Sequence, residues 1–349
     1  MTDKGQVSDS HSAWLTDTFV GRPRWFCCCG LRVEGVSLRA MASPPTRSAT
    51  KWHPLNWIPW LTVGLLRLLA PLPLPWLLRF GRGIGWFMFH FVPIRRAVTI
   101  ANLRLCFPGK SASEIRALAL ASYKSMGMGV FEALMANLGS KERIDACHSI
   151  EGMERIEEAK RAARGVLLFC AHVHTLEIGA RIFTRHFQAC GFYRPPNNPV
   201  FAKAIAEGRD RMSKRMFAFD DLKGAVRALR GGEIIWYAPD QGKKFKDTEI
   251  VPFFGVPAVT NAATGKIAQL GRALVIPYSI VRTSDRGFYR ARLGAPLEGF
   301  DGSDPVAEAN TVNRAIEAFV LEAPEQYLWQ HKRFKGRGEG YPDVYAGMR

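Results

Sequence analysis

The sequence lacks any C-x-x-C pair. Its seven cysteines, Cys27, Cys28, Cys29, Cys106, Cys147, Cys170 and Cys190, are odd in number and scattered. That excludes a disulfide framework and fits a reducing compartment. Cys170 and Cys190 lie in apolar runs and read as small buried hydrophobes. There is no zinc-finger spacing, RNP-like run or basic zipper, so nucleic acid is not an expected partner. Residues 1–50 have no charged start, apolar stretch and cleavage site in succession, which excludes an ordinary signal peptide. Internal repeats and low-complexity tracts are also missing. Acidic residues are scarce relative to basic ones: 31 Asp and Glu stand against 48 Lys and Arg.

That imbalance gives a net charge of +17 and an isoelectric point near 9.9. An anionic partner follows, and with nucleic acid set aside it is a membrane surface or a phosphorylated substrate. Hydrophobic residues make up 47% of the 349, enough for a large core. Residues 1–50 are rich in Ser, Thr, Gly and Arg without periodicity and are expected to be a disordered extension or a mis-assigned start, with Met41 near the beginning of the ordered part. Residues 51–100 read as a membrane anchor and juxtamembrane segment. From Leu55 to Leu78 the chain is nearly all apolar, broken by Asn56, Thr62 and Arg67 and by Pro59, Pro71, Pro73 and Pro75. A span needs about 20 mostly apolar residues, but a mid-segment Arg and prolines oppose a continuous helix. An N-terminal transmembrane helix and an amphipathic segment lying in the interface both fit. The cluster Arg79, Arg82, Arg95 and Arg96 would hold the downstream chain on the cytoplasmic side if the segment spans.

Residues 101–340 have the pattern of one α/β domain. Helices are expected over Ala112–Leu138, Val200–Phe217, Asp220–Arg230, Thr260–Leu270 and Pro305–Leu321. Strands are expected at Gly165–Cys170, before Tyr193, at Ile234–Ala238, at Ala273–Arg282 and at Phe288–Leu293. Strands alternating with helices imply a mixed, mostly parallel sheet flanked by helices on both faces.

The strongest local signal is Ala171-His172-Val-His174-Thr-Leu-Glu177, directly after a buried strand, where active sites of open α/β sheets collect. On one continuous helix His172 and Glu177 would point about 140° apart. They meet only if His172 ends the strand and Glu177 sits in the first helical turn. A carboxylate against one imidazole nitrogen fixes the tautomer and raises the basicity of the other, which suits deprotonation of an alcohol. A His and an acid at this spacing are common, so the pair alone does not establish catalysis. His172-x-His174 also resembles the first ligands of metal-dependent amidohydrolases, but only His186 and His331 follow, so no metal is expected. Arg194, before Pro195-Pro196-Asn197-Asn198, and Asp240-Gln241 stand at other strand ends, where either a shared pocket or simple capping explains them. Basic residues are dense from Lys203 to Arg230 and in Lys332-Arg333-Phe334-Lys335. Such runs are usually solvated faces, though guanidinium groups beside a pocket suit phosphate.

Taken in order, His172-x-x-x-x-Glu177, Tyr193-Arg194-Pro195 with Asn197-Asn198, Gly208-Arg209, Trp236-Tyr-Ala-Pro-Asp240-Gln241, Pro252-Phe253-Phe254 and Ala323-Pro-Glu-Gln-Tyr-Leu-Trp329 with His331, Arg333, Phe334 and Lys335 resemble the late acyltransferases of lipid A biosynthesis. The likeness runs from about His53 to about Arg337. The dyad belongs to the wider glycerolipid acyltransferase superfamily, whereas the Ala-Pro-Asp-Gln and Ala-Pro-Glu-Gln-Tyr-Leu-Trp runs are specific. The resemblance implies an inner-membrane enzyme acting at the cytoplasmic face. Its donor would be acyl carrier protein and its acceptor a hydroxyl of the Kdo-bearing lipid A precursor. His172 would be the base and Glu177 its partner. Arg194, Arg209, Asp240, Gln241, His331 and Arg333 would bind substrate, with no metal or organic cofactor. Residues 242–247, with Lys243, Lys244 and Lys246, would contact a head group, and His174 would line the pocket. Acylation of a glycerol-based lysolipid, and lipid binding without turnover, are the alternative readings.

Overall fold

The computed structural model describes residues 54–193, 198–218, 221–241 and 247–348. Two apolar helices come first, α1 (Trp57–Leu69) and α2 (Leu74–Phe91), then α3 (Arg96–Cys106) and the long α4 (Ala112–Leu138). Ser111 caps α4 reciprocally with Glu114, a capping box that fixes where the helix starts. The remaining order is α5 (Lys141–Asp145), β1 (His148–Glu151), α6 (Glu154–Arg161), β2 (Val166–Phe169), α7 (Leu176–His186), β3 (Cys190–Tyr193), α8 (Pro199–Met212), β4 (Arg215–Ala218), α9 (Leu222–Arg230) and β5 (Ile234–Tyr237). It continues with β6 (Thr248–Phe253), β7 (Val256–Asn261), α10 (Thr264–Gly271), β8 (Leu274–Ser284), β9 (Phe288–Leu293) and α11 (Pro305–Glu322), ending in a 3-10 turn at Pro324–Gln326.

Seven strands form one sheet in the order β1-β9-β8-β2-β5-β3-β4, and β6 and β7 make a separate hairpin. Every pair in the large sheet is parallel except β8 with β9. The expected mostly parallel sheet is therefore present. Because side chains alternate along a strand, Leu167, Phe169, Ile235 and Val275 face one core with α3, α9, α10 and α11. Val166, Leu168, Ile234 and Ile276 face the other with α6 and α7. Both faces of β2 are buried, which is why its sequence is an unbroken apolar run.

The sequence-based element bounds need two corrections. The helix expected to reach Phe217 ends at Met212, and Arg215–Ala218 is the edge strand β4. Its short, half-exposed pattern carries no apolar alternation to announce it. The helix expected from Thr260 begins at Thr264, because β7 runs to Asn261.

The expected N-terminal transmembrane helix is also corrected. Pro71 and Pro73 divide the apolar stretch between α1 and α2, of 13 and 18 residues, about 20 and 27 Å long. No helix among the described residues is long and apolar enough to cross a membrane. Helix α2 instead lies against α4 backbone to backbone. A Cβ on Gly81 would sit 2.5 Å from the carbonyl oxygen of Gly127, and one on Gly85 would sit 2.1 Å from that of Tyr123. Nothing lies within 4 Å of a Cβ placed on Gly83. Both N-terminal helices leave large apolar side chains open: Trp57, Ile58, Leu61, Leu65 and Leu68 of α1 are each more than half exposed, as are Trp76, Phe80, Phe87 and Phe91 of α2. The 1–50 extension lies outside the described residues.

The glycine contact predicts a contrast readable by thermal unfolding. Gly85→Val forces α2 off α4 and lowers stability by roughly 2 kcal/mol or more. Gly83→Ala, in open space on the same helix, raises it by about 0.5–1 kcal/mol. Equal melting temperatures for the two variants would contradict the close-packed interface.

Candidate active site

Strands β2 and β5 are parallel neighbours with Phe169 paired to Tyr237. Three residues beyond each of these lies a polar side chain, His172 after β2 and Asp240 after β5. Equal offsets on adjacent strands bring the two together: Asp240 Oδ1 accepts a hydrogen bond from His172 Nδ1–H. The other carboxylate oxygen accepts from the His172 backbone N–H at 3.0 Å and from the Tyr327 hydroxyl at 3.0 Å. Asp240 is fully buried, whereas the His172 side chain is 28% exposed.

Burial alone would neutralise this carboxylate. The opposing effects of the His172 charge and hydrogen bonds, with Arg333 nearby, hold its pKa down at about 2. On His172, burial pulls the pKa down, but the charge of Asp240 and its hydrogen bond outweigh that and leave it above the ordinary histidine value. Binding Asp240 through Nδ1 leaves Nε2 as the ring's base.

The expected pairing of His172 with Glu177 is not the one the structure makes. Glu177 does sit in the first turn of α7, as the five-residue spacing requires, and it lines the same cavity as His172. Its carboxylate accepts instead from Arg209 of α8 at 2.6 Å. The cavity holds about 690 Å³. Leu176, Phe192, Met212, Met216, Trp236 and Ile267 give it apolar walls, and His172, Glu177 and Arg209 stand among them.

Of the other expected substrate contacts, Gln241 follows Asp240 and is half-buried. Arg333 is almost fully buried and donates to the Val259 carbonyl at 2.7 Å and to Thr260 Oγ1 at 3.0 Å, with its guanidinium 4.7 Å from the centre of the Phe253 ring. From inside the core its charge favours the ionised Asp240 carboxylate and opposes protonation of His172. His331 is half-buried, and burial pushes its pKa down to about 4, so its ring is neutral. The His174 ring bonds Gln330 at 3.2 Å, and burial pushes its pKa down to about 3. Arg194 and the loop at 242–246 lie outside the described residues. Among the described residues no three metal-binding side chains converge.

Sequence reasoning placed Asp240 beside the substrate rather than on His172, and did not single out Tyr327 at all. The only available signal was the position of His172 and Asp240 at strand ends, since strand adjacency is not written in local sequence.

The charged pair predicts a pH-dependent contribution to stability. His172 has a raised pKa, so its share is complete below the unfolded value near 6.5 and fades as pH rises through the folded value. Asp240 contributes above about 4 and loses its share as pH falls toward 2. The gap in melting temperature between wild type and Asp240→Asn is therefore widest between about pH 4 and 6.5 and narrows toward pH 9. A gap that widens above pH 7 would contradict the charged pairing.

Comparison with known proteins places this geometry. A model of the family described as bacterial lipid A biosynthesis acyltransferase matches residues 45–336. The lipid A biosynthesis lauroyltransferase of Escherichia coli K12 is 36% identical over 310 residues, covering 87% of this chain and all of the relative. The palmitoleoyltransferase of the same organism is 34% identical, covering 84% and 96%. The myristoyltransferase is 28% identical, covering 84% and 91%. With one family model spanning most of its length and relatives matched nearly end to end, the chain belongs to the bacterial lipid A biosynthesis acyltransferases.

Proposed function

We propose that the protein transfers a fatty acyl chain from acyl carrier protein to a hydroxyl of the Kdo-bearing lipid A precursor, with His172 as the base. The observation that carries this reading is the His172–Asp240 pair, whose imidazole lines an apolar-walled cavity of about 690 Å³. The cavity suits an acyl chain, and its depth sets the chain length accepted. Asp240 holds the ring so that Nε2 takes the proton of the acceptor hydroxyl. The oxygen attacks the thioester carbonyl, and the tetrahedral adduct collapses with cleavage of the C–S bond. The imidazolium returns its proton to the departing thiolate, so an ester and a free thiol result. Glu177 acts on this reading by holding Arg209 at the cavity wall. The net charge of +17 suits two anionic partners, the carrier protein and the phosphorylated acceptor.

The same reading puts the protein at the cytoplasmic side of the bacterial inner membrane, seated in the lipid interface by α1 and α2. The exposed Trp, Phe, Leu and Ile side chains of the pair support it, and Arg79 on α2 adds attraction for anionic headgroups.

The test is transfer by detergent-solubilised protein from lauroyl, myristoyl and palmitoyl carrier protein to the Kdo-bearing precursor or to a lysophospholipid. Transfer to the precursor alone is expected. His172→Ala and Asp240→Asn are expected to lower turnover by roughly a hundredfold or more. Transfer only to the lysolipid would keep the chemistry and overturn the acceptor. Full activity in His172→Ala would remove the assigned base, and no transfer to either acceptor would favour lipid binding without turnover. For the anchor, Leu61→Glu with Leu65→Glu is expected to abolish flotation with anionic vesicles, and alkaline carbonate to release the wild type. Carbonate-resistant wild type would argue for a spanning segment.

A further inference from the structure

Tyr327 belongs to the run Ala323–Trp329, far along the chain from both strands of the site, yet its hydroxyl reaches Asp240 Oδ2 at 3.0 Å. The residue is almost fully buried. Burial and the neighbouring Asp240 charge hold its pKa well above the ordinary tyrosine value, so the hydroxyl keeps its proton and donates. The ring is set by packing against Trp329, with centroids 4.9 Å apart, and Phe253 at 5.8 Å.

The backbone around it is pinned as well. Val173 and Tyr327 form an antiparallel bridge. Leu328 N–H donates to the His172 carbonyl at 3.0 Å, and His174 N–H to the Gln326 carbonyl at 2.8 Å. The Gln326 side chain clamps Arg282 of β8, accepting from its N–H and donating to its carbonyl, both at 2.9 Å. The hydroxyl is thus held from two sides against the oxygen that does not face the imidazole ring.

We propose that Tyr327 is a positioning residue for acyl transfer, whose hydroxyl orients the Asp240 carboxylate and tempers its pull on the His172 proton. The inference rests on the reading of His172 as base, and Tyr327 acts only through Asp240. A donor on a carboxylate stabilises its charge and weakens its hold on a second donor. Removing that donor should make Asp240 a stronger partner for the imidazolium, so His172 holds its proton to higher pH. The other charged or titratable groups around this titration are Arg333 and His331 on the C-terminal segment, and the paired Glu177 and Arg209 line the same cavity. All of these stay in place when only the hydroxyl is removed.

Two readouts on the full-length protein in detergent test it. The first is the pH profile of kcat/KM for transfer. The second is the pH dependence of diethyl pyrocarbonate modification of His172, followed by mass spectrometry of its peptide, which needs no turnover. In Tyr327→Phe both midpoints are expected to rise by about half a unit to one unit, so the rate below the midpoint falls about threefold to tenfold while the plateau changes little. Replacing Tyr327 by 4-aminophenylalanine, a weaker donor of the same shape, gives an intermediate shift and serves also if the Phe variant folds poorly. A uniform loss of rate with unmoved midpoints, or midpoints that move down, would overturn the inference and leave Tyr327 a packing residue. Activity surviving in His172→Ala would instead remove the assigned base, while the modification midpoints would still report whether Tyr327 acts on the pair.

Discussion

A carboxylate with no contact to water is the group this structure can least leave unpaired, and Asp240 is that group. Moving an ionised carboxylate out of water costs several kcal/mol even after relaxation. Burial would otherwise convert it to the neutral acid. It stays charged because three donors close on it: the His172 ring, the His172 backbone and the Tyr327 hydroxyl. These donors come from the end of β2 and from a segment more than 80 residues beyond Asp240. The charge can stay buried only when β2, β5 and the C-terminal run are all assembled, so the site forms with the fold and not before it.

The C-terminal run is held as a unit for the same reason. Trp329 donates its indole N–H to the Pro324 carbonyl at 2.6 Å, and Asn102 donates to the carbonyls of Trp329 and His331, both at 2.7 Å. Through Gln326 the run grips Arg282, whose guanidinium reaches Glu132 and Ser125 of α4, each at 2.6 Å. Glu132 is fully buried, and burial raises its pKa against the opposing pull of Arg282. Removing either partner of such a pair strands a charge and typically costs several kcal/mol. A series of buried polar contacts therefore runs from α4 through Arg282 and Gln326 to the segment carrying Tyr327, and so to Asp240 and His172. This gives the Ala-Pro-Glu-Gln-Tyr-Leu-Trp run a physical meaning beyond resemblance: its polar side chains are spent on each other and on strand ends.

What could be read beforehand follows from which forces are local. The capped α4 and the central strands β2, β5 and β8 announce themselves, because continuous apolar runs and a capping box are written within a few residues. The edge strands β1 and β4 do not, since four-residue strands of mixed exposed and half-buried residues are too short to show a periodicity. The β6–β7 hairpin turns at Phe254-Gly255, where both residues have positive φ. The Phe at a left-handed position is no signal of a turn. His172 was legible as the base candidate from its place after a buried strand. Its partner was not, because Glu177 is near in sequence while Asp240 is near only through the pairing of β2 with β5. Local spacing pointed to Glu177, whereas sheet order brings Asp240 into hydrogen-bond contact with the His172 ring.

The two apolar helices at the start differ in how firmly they are held, and the difference bears on the proposed membrane seat. Helix α2 meets α4 through Gly81, Gly85 and Gly127, a dry contact with no side chain between the backbones, and α4 carries the buried Glu132. Helix α1 is tied to α8 by Arg67 with Glu207 at 3.1 Å and Asn198 with Asn56 at 3.2 Å. The first of these is an exposed ion pair, worth at most about 1 kcal/mol. Burying the open face of α1, with its Trp, Ile and Leu side chains, in lipid would contribute several times that at about 25 cal/mol per Å². Inside the fold Leu66 and Leu69 pack against Leu77, Phe131 and Leu134, so the protein holds one side of α1 and lipid would hold the other. Because α8 also carries the Arg209 that pairs with Glu177, the helix that α1 leans on supplies part of the wall of the cavity lined by His172.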